Sequence, residues 1–160
     1  MKTGITGHRD LGSAKDAAWV GAALEDAVVR YRVTQGLASL AVGADQIFTE
    51  LLRERGISYL VVIPSQGYEG TFEEDEVERY RSLLASAAGV VSLPFEAPGE
   101  AAYFAAGREV VERSELLFAV WDGQKAKGLG GTGDVVEYAL SLGRKVVHID
   151  PVNRLVTEKR

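Results

Sequence analysis

The sequence predicts an α/β fold built on a mostly parallel sheet, and two regularities carry that expectation. Short apolar runs rich in Val, Ile and Leu recur along the chain, and helix-periodic stretches separate them, so strand and helix alternate throughout. Four joints also share one pattern, in which a helical segment ends, a glycine follows and an apolar run begins: Gly36 before 37–42, Gly56 before 57–63, Gly89 before 90–93 and Gly143 before 144–149. A glycine just past a helix end takes the left-handed conformation without a Cβ penalty. Apolar runs of this length suit strands buried on both faces.

In chain order, a strand is expected at 3–6, followed by a helix over 13–34 that Ser13 and Asp16 open as a capping box. A strand at 37–42 leads into a helix at 44–55, and a strand at 57–63 into a helix at 72–87, where Thr71-Phe-Glu-Glu74 reads as a second capping box. Strand 90–93, helix 100–113, strand 116–121, helix 134–142 and strand 144–149 complete the alternation, and residues 151–160 read as a short strand or a frayed end. No linker, repeat or low-complexity tract interrupts the chain. The expectation is therefore one domain over 1–160, a Rossmann-like three-layer sandwich with a mostly parallel six-stranded sheet.

Composition narrows the function. The absence of cysteine removes thiol nucleophiles, cysteine-ligated zinc and disulfide scaffolds. His8 and His148 are too few for a His-rich metal site, so no metal is expected. A net charge of -5 and a pI near 5.1 offer no basic field for phosphates, which predicts no nucleic-acid partner. No apolar run approaches the ~20 residues of a membrane span. The plain reading is a cytoplasmic protein with no membrane partner. Eighteen of the 160 residues are glycine, about 11% against a typical ~7%.

Ligands of open α/β sheets bind where strands lead into helices, and three such loops stand out. The first is Thr6-Gly7-His8-Arg9-Asp10-Leu11-Gly12. Gly7 permits a tight turn, and His8 and Arg9 are suited to a phosphate or a base edge, unless Arg9 pairs with Asp10 and His8 only packs. The second, Val42-Gly43-Ala44-Asp45, lets backbone approach a ligand; Asp45 reads equally as a helix N-cap or as an acceptor for ribose hydroxyls that also orients Arg9. The third, from Trp121 to Glu137, holds five glycines within eleven residues, and free N–H groups at a glycine-rich helix start make an anion site. Lys125 and Lys127 could close over phosphates there, and Asp134 with Glu137 reads as a capping box. Tyr68, Phe72, Tyr103 and Phe104 are candidate stacking platforms, although such aromatics more often belong to the core.

The third loop resembles the SLOG superfamily of Rossmannoid nucleotide-binding domains, which includes Lonely-Guy phosphoribohydrolases, the DNA-processing protein A core and molybdenum-cofactor carriers. The Lonely-Guy motif Pro-Gly-Gly-x-Gly-Thr-x-x-Glu is matched by Leu129-Gly130-Gly131-Thr132-Gly133-Asp134-Val135-Val136-Glu137 in its three glycines and its glutamate. Leu40-Ala-Val-Gly43-Ala-Asp45 is similar to the Gly-x-Asp helix start of the DNA-processing branch. The resemblance implies a nucleotide ligand with no further cofactor, phosphate bound by Gly130, Gly131, Thr132 and Gly133, and a dimer. In the hydrolases, Glu137 would work with an upstream arginine, of which Arg108 is nearest in register. Asp134 stands where the motif has threonine, and an ionised aspartate repels phosphate where a hydroxyl donates to it. Binding of a nucleotide or derivative is therefore the leading expectation, with N-glycosidic hydrolysis of a nucleoside monophosphate as the alternative and a molybdenum-cofactor carrier as a weaker one.

Overall fold

Strands β1 (Lys2–Gly7), β2 (Gln35–Ala38), β3 (Ser58–Ser65), β4 (Gly89–Phe95), β5 (Leu116–Val120), β6 (Lys145–Asp150) and β7 (Leu155–Lys159) form one sheet in the order β4-β3-β2-β1-β5-β6-β7. The structure is a computed structural model that describes residues 1–125, 129 and 131–160. Six strands are parallel, and β7 runs antiparallel to β6. The sheet thus has seven strands where six are expected, because the 151–160 segment turns back onto the sheet edge. Tyr31 there donates to Glu158, and Lys145 pairs with the same carboxylate.

Helices α1 (Ala14–Arg30), α2 (Ala44–Glu54) and α3 (Val77–Ala85) cover one face, and α4 (Glu100–Glu112) and α5 (Thr132–Ser141) cover the other. From β1 to β4 the chain steps one way across the sheet; it then returns to the far side of β1 for β5 and steps the other way. Right-handed crossovers require the helices to change face at that reversal. Strand β5 is buried throughout and feeds both layers: Leu116, Phe118 and Val120 pack with α1 and α2, while Leu117 and Ala119 pack with α4 and α5. Among the described residues, no helix is long and apolar enough to cross a membrane.

The capping box at Ser13 and Asp16 is formed in both directions. Replacing Ser13 by alanine is expected to cost about 1 kcal/mol, read as a modest fall in melting temperature. The box expected at Thr71 is not formed. Thr71 ends a short 3-10 turn (Tyr68–Thr71), donating to the Tyr68 carbonyl, and α3 begins only at Val77. Gly56 and Gly143 take positive φ beyond their helices, as expected of helix-stopping glycines. Gly36 does not. The first helix ends at Arg30 and the left-handed residue is Arg32, whereas Gly36 lies within β2, where a Cβ would sit 2.2 Å from Leu52. Gly89 opens β4 without positive φ. Strand β2 also ends at Ala38, four residues short of the expected 42, and residues 39–43 become loop.

Candidate functional site

The sheet reverses its winding between β1 and β5, and the loops after these strands part to leave a crevice at their carboxyl ends. Its walls are tied to each other. The His8 N–H donates to the Val120 carbonyl (3.2 Å), and the Asp122 N–H donates to His8 Nε2 (3.1 Å). Because Nε2 accepts, the imidazole carries its proton on Nδ1. His148 of β6 donates through Nε2 to the Trp121 carbonyl (2.8 Å), and its ring lies 4.9 Å from the Trp121 ring. Both histidines therefore brace the loop that follows β5.

On the other side, the β1 loop rests on the start of α2. Gly43 has φ +93°, and a Cβ there would lie 2.5 Å from the His8 carbonyl oxygen and 2.6 Å from that of Arg9. Only glycine fits. The preceding loop is strained at Leu40, whose φ is +59°; its buried side chain and a bond from Gln46 Nε2 to its carbonyl hold it there. This loop folds around Asp45. Gly43 is the N-cap residue, and the Asp45 carboxyl reaches back so that Oδ2 accepts from the N–H groups of Ser39 (3.2 Å) and Ala41 (3.4 Å).

The crevice holds two chambers. The inner one, about 310 Å³, is lined by Asp45, Tyr68, Tyr103, Val110 and Val135 among others. The outer one, about 760 Å³, is polar and includes Asp10, Asp122, Gln124 and Lys125. His8, Arg9, Gly131 and Thr132 line both, so the chambers meet at the first turn of α5. Helix α5 starts at Thr132 with Gly131 as its N-cap, two residues before the expected 134, so Asp134 is a first-turn residue and not a cap. Gly131, lacking a side chain, supplies no side-chain cap. Asp10 turns onto the Gly12 N–H and away from any pairing with Arg9. Arg9 instead acts on Asp45: burial raises that carboxyl to about 7, while the two backbone N–H bonds and the Arg9 charge hold it down.

Of the residues anticipated from sequence, Gly7, His8, Arg9, Asp45, Gly131, Thr132 and Gly133 line this crevice, and Gly43 supports it from behind. Gly130, Lys127 and Gly128 lie outside the described residues. Glu137 and Arg108 are elsewhere. Glu137 lines neither chamber; it opens with Val136 and Leu140 onto an adjoining depression that shares Trp121, Lys125 and Gly133 with the outer chamber, and the Arg108 guanidinium lies 4.9 Å from the Tyr138 ring centre on the outer side of α4 and α5. Tyr68 is buried, donates to the Ser39 carbonyl and forms part of the inner wall; Phe72 stacks on Tyr80, and Phe104 packs against Tyr138. Sequence reasoning missed the bracing His148 and the wall residues Val110 and Val135, which read there only as core. Among the described residues, no cluster of three His, Asp or Glu side chains could hold a metal ion.

No family model matches the chain, and no curated protein sequence does. Solved structures do. DNA processing protein A from Streptococcus pneumoniae superposes with a TM-score of 0.66 at 17% identity, covering 92% of this chain and 49% of that one. DNA processing protein A from Helicobacter pylori gives 0.66 at 15% identity, covering 96% of this chain and 70% of that one. The molybdenum cofactor carrier protein from Chlamydomonas reinhardtii gives 0.52 at 15% identity, covering 92% and 74%. The chain spans about half the length of the pneumococcal protein. The expectation of no nucleic-acid partner is overturned by this set, since the Helicobacter protein has a single-stranded DNA binding mode. Net charge averages over the whole surface and is blind to local cations such as Arg9 and Lys125 at one crevice; bases of a single strand are also held by stacking, which needs no net positive charge. The chain shares the Rossmann-like fold of these proteins.

Proposed function

We propose that this protein binds a nucleotide or nucleotide derivative across the two chambers, with its phosphate in the outer one and its nucleoside in the inner one. The observation that carries this reading is the shared rim: Arg9, Gly131 and Thr132 border both chambers at the first turn of α5. An anion at that point meets the start of α5 and the positive end of the helix. Arg9 adds a planar two-pronged donor, and Lys125 a second positive charge from the facing loop. Behind them, a chamber of about 310 Å³ with Tyr68, Tyr103, Val110 and Val135 in its walls falls at the small end of ligand pockets and suits a flat base.

The test is calorimetric titration and thermal shift with a panel of nucleoside monophosphates and the matching nucleosides. Replacing Arg9 by alanine is expected to weaken the monophosphates roughly 10- to 100-fold, the size of a lost charge-assisted bond, and to leave the nucleosides nearly unchanged. A panel in which no nucleotide binds sinks the reading. Since Glu137 lines neither chamber, the expected chromatogram after long incubation shows intact nucleotide and no free base. A short single-stranded oligonucleotide belongs in the same panel, given the DNA-binding mode of the Helicobacter protein. Competition between it and the monophosphates would mark one common site.

A further inference from the structure

The inner chamber ends on a carboxyl that the fold leaves half used. Asp45 is only 6% exposed, and both of its backbone bonds go to Oδ2. Among the described residues Oδ1 has no hydrogen-bond partner, and the side chain forms part of the chamber wall. Oδ1 keeps some access to the open chamber, so a ligand there can supply the donor it lacks. We infer that Asp45 reads the base: Oδ1 accepts a hydrogen bond from an exocyclic amino group of the nucleobase, so that the chamber takes amino bases in preference to oxo bases. This inference rests on the nucleotide reading above.

Three features commit the carboxyl to a donor on the base. Its position is set by backbone, because Ser39 and Ala41 fix Oδ2 and leave Oδ1 no freedom to turn away. The charged and titratable groups that face it are Arg9 from the β1 loop and Tyr68 from the 3-10 turn, and both are otherwise directed: Arg9 borders the phosphate chamber, and Tyr68 donates to the Ser39 carbonyl (2.8 Å). The surrounding walls include the apolar and aromatic Tyr68, Tyr103, Val110 and Val135, so Asp45 is the carboxyl acceptor that a base packed among them meets. Above pH 7, where the carboxyl has lost its proton, an oxo group at the same place would set a carbonyl oxygen against the carboxylate, two acceptors with no proton between them.

Two matched pairs test this at pH 8, where the Asp45 carboxyl is ionised: adenosine against inosine monophosphate and cytidine against uridine monophosphate, since each pair exchanges an amino group beside a bare ring nitrogen for an oxo group beside a ring N–H. The parent protein is expected to bind the amino member at least about tenfold tighter, as for a hydrogen bond to a charged group. In the Asp45→Asn variant, the amide oxygen takes over the Ser39 and Ala41 bonds and turns its NH2 into the chamber, so the preference should invert toward the oxo member. The Asp45→Ala variant should show no preference. Inversion is a readout that a merely structural role for Asp45 would not produce. Equal affinities within each pair in the parent protein overturn the inference, as does an unchanged preference in either variant. Loss of affinity on removing the ribose 2′- or 3′-hydroxyl, with no amino–oxo preference, would place Asp45 on the sugar and overturn it too. Failure of every nucleotide to bind would instead bring down the nucleotide reading itself.

Discussion

Replacing Gly43 by alanine is expected to destabilise the protein by about 3 kcal/mol or more, combining backbone strain of roughly 1–3 kcal/mol with a clash that cannot relax. Gly43 has φ +93° and ψ −127°, a region closed to L side chains. The methyl group would fall 2.5 Å from the His8 carbonyl oxygen and 2.6 Å from that of Arg9, and both are backbone atoms. Relief would require the β1 loop to lift from α2. The loss should appear as a fall in melting temperature on the order of 10 °C, at ~2–4 °C per kcal/mol for a chain of this size. Because the displaced loop carries Arg9, nucleotide affinity should fall with it. Gly70→Ala is the control, since Gly70 has no positive φ and nothing lies within 4 Å of the place its new methyl group would take. Equal melting temperatures for the two variants would contradict the account of Gly43.

The Asp45→Asn variant should change the pH dependence of stability, and the sign follows from the titration. Burial raises the Asp45 carboxyl from 3.8 to about 7 in the folded protein. Between those values the native state holds a proton that the unfolded chain has lost. The stability this confers is therefore fully present below about pH 4 and is lost as pH rises through 7. At ~1.4 kcal/mol for each pH unit between the two values, the loss amounts to as much as ~4 kcal/mol. Asparagine does not titrate. Relative to the parent protein, the variant should therefore gain stability steadily from pH 4 to pH 8, reaching a difference of several kcal/mol. Tyr68 and Arg9, the other ionisable groups that face Asp45, do not compete in this window: burial pushes the Tyr68 hydroxyl further up, and a guanidinium stays charged. Asp16, Glu50, Glu69, Asp150 and Glu158 are held below their ordinary range and act at lower pH, and they cancel between two otherwise identical proteins. A difference in melting temperature that stays flat from pH 4 to 8 would contradict a buried, protonatable Asp45.

The alternation of strand and helix was legible because apolar runs and glycine stops are local signals. Gly56 and Gly143 behave as helix stops because the chain reverses just beyond them. Gly36 follows the same sequence pattern for a different reason, close packing of β2 against Leu52, and local sequence cannot separate the two causes. The seventh strand was ambiguous because the 151–160 segment owes its order to partners distant in sequence, such as Tyr31. At the site, the glycine loops marked the edge of the sheet where the crevice lies. The use of Asp45 could not be read, because an N-cap and a buried carboxyl folded back onto its own loop share one spacing and differ only in the turn at Leu40 and Gly43. Likewise, Glu137 follows the glycines at motif spacing, yet it lines neither of the chambers that the β1 loop borders.

The most direct test of the central claim is to map where a nucleoside monophosphate binds, by amide and side-chain chemical-shift changes on titration. The account predicts that the largest changes fall on Arg9, Asp45, Gly131 and Thr132, on both sides of the crevice between β1 and β5. Changes confined to the depression beside Glu137 and Leu140, or to the exposed face of β7, would contradict it.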